Sequence, residues 1–203
     1  EPTIFFEYVL DTARPAREKG LANIFVTNGY MTEEAAETIA PYLDAANVDL
    51  KYFDDEKYRK ICRGSLQPVL DTIERLKELG IWVEVTTLII PEDNDSEEEL
   101  KNIAGFIAGI DPGIPWHISA FRPEYKYRDH RATTPAILER AAEIGKKSGL
   151  RYIYKGNVAG DNNTYCYNCG ETLIERGYFG MAESRVEEGK CPQCGAAVDG
   201  IFA

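Results

Sequence analysis

Residues 66–90 read LQPVLDTIERLKELGIWVEVTTLII, and their periodicity changes at about residue 80. Up to Leu79 the apolar residues Leu66, Val69, Leu70, Ile73 and Leu76 recur every three or four positions, the stripe of a helix with one buried face. Pro68 falls in the first turn, where its missing N–H would have had no intrahelical partner. From Ile81 to Ile90 the apolar residues are nearly continuous, as in a strand covered on both faces. A helix that feeds a buried strand is the repeating unit of parallel α/β architecture.

The same unit extends in both directions. Upstream, Phe6, Val9, Leu10 and Ala13 predict a helix from Thr3, its cap, to Gly20, with Pro15 expected to kink or shorten it. Ile24 to Val26 is a short β-prone run closed by Thr27-Asn28-Gly29; a helical pattern from Thr32 to Leu43 and a strand from Asn47 to Lys51 follow. Downstream, Ser96 and Glu99 stand in capping-box spacing, and Trp116 to Phe121 reads as a strand. Thr134 to Lys147 reads as a helix and Arg151 to Tyr154 as a last strand. Five strands that begin after a helix fall short of an eight-stranded barrel, so the expected fold class is α/β: a partial parallel (β/α) barrel, in preference to an open sheet that starts with a helix.

Past Val158 the texture changes. Gly, Asn and Asp cluster from Gly156 to Asn163, the periodicity stops, and four of the five cysteines follow, which divides the chain into residues 1–158 and a module at 159–203. Cys166 and Cys169, and Cys191 and Cys194, form two CxxC knuckles, each followed by Gly. Four thiolates brought together in this way complete a tetrahedral metal site with no position left for substrate, as in a structural zinc ribbon. A rubredoxin-type iron and redox thiols are the alternatives. Leu173 to Tyr178 and Ser184 to Glu187 are expected to pair as a hairpin between the knuckles. Cys62 reads as a small buried hydrophobe.

With 203 residues, 44% of them hydrophobic and 28% charged, the chain is large enough for a real core. Asp and Glu outnumber Lys and Arg by 34 to 23, a net charge of -11 that disfavours nucleic acid and anionic membranes as partners. No apolar run approaches the length of a membrane span and no export signal is visible, so a cytoplasmic location is expected. Oligomeric state is not legible.

Chemistry in parallel α/β folds gathers where strands end. Candidate positions there are Glu1-Pro2-Thr3, Thr27-Asn28-Gly29, Asp49-Leu50-Lys51, the set Glu84, Thr86 and Thr87, and His117 to Arg122. Each alone reads as a turn, a strand exit or a packed core residue. Glu84, Thr86 and Ser119 carry more, since polar side chains that alternate within apolar strands must face a wet cavity or paired partners. His130 reads as a solvated residue, and Glu97-Glu98-Glu99 as a helix N-terminus favoured by its dipole.

The ordered motifs Glu-Pro-Thr-Ile-Phe-Phe-Glu-Tyr, Phe-Val-Thr-Asn-Gly-Tyr-Met-Thr, Ala-Asn-Val-Asp-Leu-Lys, Trp-Val-Glu-Val-Thr-Thr-Leu-Ile-Ile-Pro and Pro-Trp-His-Ile-Ser, with the terminal double CxxC, resemble the radical SAM proteins of the AmmeMemoRadiSam system. These are similar to the pyruvate formate-lyase activating enzymes. The resemblance implies an open (β/α)₆ barrel. It also implies a [4Fe-4S] cluster, held by a CxxxCxxC loop, that cleaves S-adenosylmethionine (SAM) to a 5'-deoxyadenosyl radical, which abstracts hydrogen from a substrate, a protein among the candidates.

No CxxxCxxC occurs in these 203 residues. Because Glu1-Pro2-Thr3 resembles the motif at the end of the second strand, the first two strands and the cluster loop are expected upstream, and the isolated piece is expected to be inactive. By the same resemblance Glu1 would receive the amino group of SAM, Thr27, Asn28, Asp49 and Lys51 would line its methionine and ribose, and Ser119 to Arg122 would lie near adenine. Val26 replaces the Asp of the activating enzymes, which removes a cation ligand, and Arg122 stands where they have His. The competing reading is a zinc-ribbon adaptor on a degenerate, non-catalytic barrel.

Overall fold

The computed structural model describes residues 1–177 and 180–202. Five parallel strands run in the order β1 (Ile24–Thr27), β2 (Ala45–Asp49), β3 (Trp82–Ile89), β4 (Trp116–Ala120), β5 (Ile153–Gly156). The order never reverses. A doubly wound sheet changes direction at a switch point and carries helices on both faces, whereas sequential order keeps them on one side, as in a barrel wall.

Burial along the strands agrees. In β3 the alternation is strict: Val83, Val85, Thr87 and Ile89 are buried, while Trp82, Glu84, Thr86 and Leu88 are half-exposed on the opposite face. The buried face packs against α4 (Gln67–Glu78), whose Val69, Leu70, Ile73 and Leu76 are the stripe read from sequence, and against α5 (Glu97–Ile110) and α6 (Pro135–Lys147). Trp116, fully buried in β4, donates its indole N–H to Thr87 Oγ1 at 3.0 Å, and Thr87 donates in turn to the Leu50 carbonyl at 2.9 Å. The half-exposed face lines the lumen. β1 lies at one edge of the sheet, with Ile24 and Val26 65% and 70% exposed.

Several expected boundaries move. A 3-10 turn over Pro2–Phe5 precedes α1 (Phe6–Glu18), and Glu1, not Thr3, is its cap, accepting from the Thr3 N–H. Pro15 does not end α1. The carbonyl it leaves without a partner belongs to Asp11, which is exposed and can be hydrated. α2 (Glu33–Ile39) ends in a 3-10 turn, and α3 (Asp55–Lys57) with the π-turn Tyr58–Cys62 replaces what would otherwise be loop. Only half of the capping box forms: Ser96 accepts from the Glu99 N–H, but the Glu99 carboxylate leaves its own helix to accept from Phe53 N at 2.6 Å.

The last strand starts two residues later than expected. Arg151 and Tyr152 instead reach the C-terminal module, whose three antiparallel strands are β6 (Thr164–Tyr165), β7 (Thr172–Gly177) and β8 (Gly180–Ser184). The second arm of the hairpin starts at Gly180 and not at Ser184; Tyr178, assigned to its first arm, lies outside the described residues. Asp199 latches the module to the barrel. Its carboxylate accepts from Arg151 at 2.8 Å and from the Tyr152 hydroxyl at 3.2 Å.

Candidate functional site

At the carboxyl ends of β1 and β2 the polar residues converge. Glu1 Oε1 accepts from the Thr3 N–H at 3.2 Å, the Thr3 hydroxyl at 2.8 Å and the Thr27 hydroxyl at 2.8 Å; Oε2 accepts from the Asn28 N–H at 2.6 Å. Burial pushes this carboxyl upward, but the bonds from Asn28, Thr27 and Thr3 outweigh it and hold the group ionised below the ordinary carboxylate range. Oε1 is saturated, while Oε2 keeps room for one further donor. The turn that aims the Asn28 N–H depends on Gly29, whose φ is +73° and whose Cα approaches the core so closely that a Cβ would lie 2.7 Å from Val48 Cγ1.

Asp49 and Lys51 form an ion pair at 2.6 Å at the end of β2. The Lys51 backbone is fixed on both sides: its N–H donates to the Tyr58 hydroxyl at 3.1 Å, and its carbonyl accepts from Asn94 Nδ2 at 2.9 Å. Asn28 and Lys51 both line a cavity of about 620 Å³ above the strands, walled by Tyr30, Tyr52, Tyr58 and Phe121. Burial raises the Tyr52 and Tyr58 hydroxyls well above their usual range, so both stay protonated donors.

Ser119 faces the lumen opposite Gly156, where a Cβ would come within 2.4 Å of its hydroxyl. Arg122 is set apart: it is exposed beyond Phe121 and makes no hydrogen bond or ion pair among the described residues. Cys62 is half-buried on the cavity wall. His130 is less solvated than its sequence implied, since its ring stacks on Tyr127 at 4.7 Å.

Sequence reasoning missed how the lumen is wired. Glu84 Oε2 meets His117 Nε2 at 2.6 Å, and Oε1 accepts from Trp82 Nε1 at 3.0 Å. Burial raises the Glu84 carboxyl, yet the bonds from His117 and Trp82 prevail and its pKa is lowered. Thr86 donates to Asn47 Oδ1 at 2.7 Å. Asn94, fully buried, joins Ile90, Leu88 and Lys51 through three backbone bonds. Strand alternation flagged Glu84 and Thr86, but no local pattern pairs residues 33 positions apart.

In the C-terminal module the four sulfurs of Cys166, Cys169, Cys191 and Cys194 all lie within 4.8 Å of one another, a cluster that could bind one metal ion. The knuckles are built alike. The Gly170 N–H donates to the Cys166 carbonyl and the Gly195 N–H to the Cys191 carbonyl, each at 2.9 Å, with both glycines at positive φ. The clustered thiols share their protons unequally: the Asn168 side chain, with other hydrogen bonds, draws the Cys194 thiol down to about 6, while Cys169, against a Glu171 backbone hydrogen bond that lowers it, is pushed up to about 12 by desolvation and contact with the other cysteines.

A carboxylate with a spare lone pair, an Asn28 side chain whose oxygen accepts from the Tyr30 N–H at 2.9 Å and whose amide N–H groups are unused among the described residues, and a fixed ion pair, gathered where Asn28 and Lys51 line the cavity, suit an amino-acid-bearing cofactor. The same place offers a single thiol, Cys62, so the described residues do not supply three ligands for an iron–sulfur cluster there. A sequential parallel strand array with its polar groups at the carboxyl ends is the wall of a (β/α) barrel. The Radical SAM superfamily domain matches residues 1–106, and the chain belongs to that superfamily.

A protein of Methanocaldococcus jannaschii described as uncharacterized is 42% identical over 204 residues, covering 98% of this chain and 60% of its own length. The pyruvate formate-lyase-activating enzyme of Clostridium pasteurianum is 26% identical over 51% of this chain and 43% of its own. The chain therefore spans about half the length of the curated relatives it matches. A domain of a pyruvate-formate lyase-activating enzyme from Bacteroides vulgatus superposes with a TM-score of 0.66 at 20% identity, over 77% of this chain and 94% of that one, and shares its fold. No helix among the described residues is long and apolar enough to cross a membrane.

Proposed function

We propose that this chain is the C-terminal part of a radical SAM enzyme whose [4Fe-4S] ligands lie outside these 203 residues, and that the enzyme abstracts hydrogen from a substrate, a protein among the candidates. The observation that carries the reading is that, in a member of the superfamily, Asn28 and Lys51 line one strand-end cavity, with Glu1 bonded to Thr27 and to the Asn28 N–H behind it and Asp49 paired with Lys51. When bound together, cluster and SAM supply the capacity for hydrogen-atom abstraction.

The chain's own residues bind and orient. Glu1 Oε2 receives the ammonium of the methionine moiety, and Thr27 and the Asn28 N–H keep the carboxylate aimed and ionised. The Asn28 side-chain amide and the Lys51–Asp49 pair face the ribose region, with Ser119 deeper in the lumen. Tyr52 and Phe121 exclude water from the cavity. Zinc at Cys166, Cys169, Cys191 and Cys194 holds the module that begins at residue 159.

The test is equilibrium binding of SAM to the anaerobically reconstituted parent protein. Asp49→Asn, which weakens the clamp on Lys51, should lower affinity about tenfold, on the scale of one charge-assisted hydrogen bond. Unchanged affinity in both Asp49→Asn and Asn28→Ala would contradict the placement.

A further inference from the structure

A second chamber lies at the amino ends of the same strands, between the lumen and the C-terminal module, with a volume of about 680 Å³. It is distinct from the strand-end cavity: Glu84, on its wall, precedes Leu88 of the upper cavity by four residues, about 13 Å along an extended strand. Its walls are largely apolar, formed by Ile24, Trp82, Pro115, Ile174 and Phe202, and it presents the tilted aromatic pair His117 and Tyr154 with ring centres 5.3 Å apart.

The charged residues on this wall are informative. Asp44 pairs with Arg17, Glu84 with His117, Lys155 with Glu139 at 2.5 Å, and Asp199 with Arg151 at 2.8 Å. Arg176 lines the same chamber and has no carboxylate partner among the described residues. It is exposed but anchored. Its guanidinium lies over the Tyr154 ring at 4.8 Å, and Nη1 donates to Thr164 Oγ1 at 2.6 Å, which is itself held by the Tyr154 hydroxyl at 2.8 Å. Stacking and the two Nη1 bonds, to Thr164 Oγ1 and at 3.4 Å to the Asn162 carbonyl, fix the fork and leave Nε and Nη2 without a hydrogen-bond acceptor among the described residues, donors that can recognise a carboxylate in two-pronged fashion. Glu84 feels the charge of Arg176 but makes no hydrogen bond or ion pair with it; its bonds go to Trp82 and His117.

We infer that this lower chamber is a carboxylate-binding site that admits an acid with an apolar, ring-sized body, and that Arg176, supplied by the metal-site module, is its recognition residue. The inference deepens the proposed function by naming a substrate class; the chamber lies on the lumen side of the same sheet, so an acid anchored at Arg176 would extend toward the Asp49 and Thr86 level. It makes the module a wall of the substrate chamber.

The experiment uses the parent protein without SAM or cluster, so that its failure is separable from failure of the radical SAM reading. Binding of 3-phenylpropionate, of its neutral amide and of the capped tripeptide acetyl-Phe-Glu-Phe-amide is followed by NMR chemical-shift changes. The acid or the acidic peptide should bind with shifts centred on His117, Tyr154 and Arg176, and the amide at least about tenfold more weakly, as loss of a charge-assisted pair implies. Binding by the free acid marks a small-molecule substrate, and binding by the peptide alone marks an acidic protein segment. Arg176→Gln should abolish the preference for acid over amide and Arg176→Lys should restore part of it. Ile174→Trp, which fills the chamber and keeps the arginine, should block both ligands. Equal binding of acid and amide, acid preference retained in Arg176→Gln, or no binding by either acid would overturn the inference.

Discussion

Gly29→Ala and Gly156→Ala place a methyl group at a similar overlap, 2.7 Å from Val48 Cγ1 and 2.4 Å from Ser119 Oγ, yet their costs should differ widely. At Gly29 the φ of +73° is a left-handed conformation that costs an L-residue about 1–2 kcal/mol. The new methyl would also meet Val69 Cγ1 at 3.0 Å, and both valines are fully buried, so relief requires the core to move, at about 1–3 kcal/mol. The sum, about 2–5 kcal/mol, is a large part of the 5–15 kcal/mol typical of a domain. At Gly156 the conflict is with a hydroxyl that can rotate away, and the Ala also restricts the unfolded chain, so the net change should stay within about 1 kcal/mol. Urea unfolding followed by fluorescence of the buried Trp116 measures both, with an unchanged slope against denaturant as the condition for comparing them. Equal losses in the two variants, or a loss below about 1 kcal/mol for Gly29→Ala, would refute the reasoning.

Three further outcomes are expected. Thr87→Val leaves the buried Trp116 indole N–H without its acceptor and should cost about 1–3 kcal/mol in the same assay; a neutral effect would mean that the bond is dispensable. Because the folded-state pKa of Glu84 is lowered, its contribution to stability is present above the ordinary carboxylate range and lost as pH falls through the lower folded value, so Glu84→Gln should flatten the acid side of the stability curve, and an unchanged slope would count against the His117 pair. Cys166→Ser should strip the metal and remove hydrogen-exchange protection from β6 and β7 while β1–β5 stay protected; collapse of protection throughout would show that barrel and module are one cooperative unit.

The parallel α/β alternation was legible because each helix carries its own stripe and each strand its own apolar run, as in residues 66–90. Boundaries shifted where a tertiary partner competed with local pattern. Arg151 and Tyr152 have strand-like neighbours but are drawn to Asp199, and the Glu99 carboxylate abandons its helix for the Phe53 N–H. The strand-end candidates Thr27, Asn28, Asp49 and Lys51 could be read because turn chemistry and motif order mark them locally. Glu1 was a candidate by position, its role came only through resemblance, and its four accepted bonds come from the fold. The Glu84–His117 pair and the approach of Arg176 to Tyr154 were not legible, since they depend on how strands far apart in sequence face one lumen.

If these strand ends belong to an enzyme that cleaves SAM reductively, the cleavage product is what the parent protein must release. The direct measurement is 5'-deoxyadenosine formed by the parent protein, reconstituted anaerobically with iron and sulfide and reduced with dithionite. The expected result is SAM-dependent 5'-deoxyadenosine that falls in the Asp49→Asn variant; none formed by a parent carrying a fully reduced cluster would contradict the account.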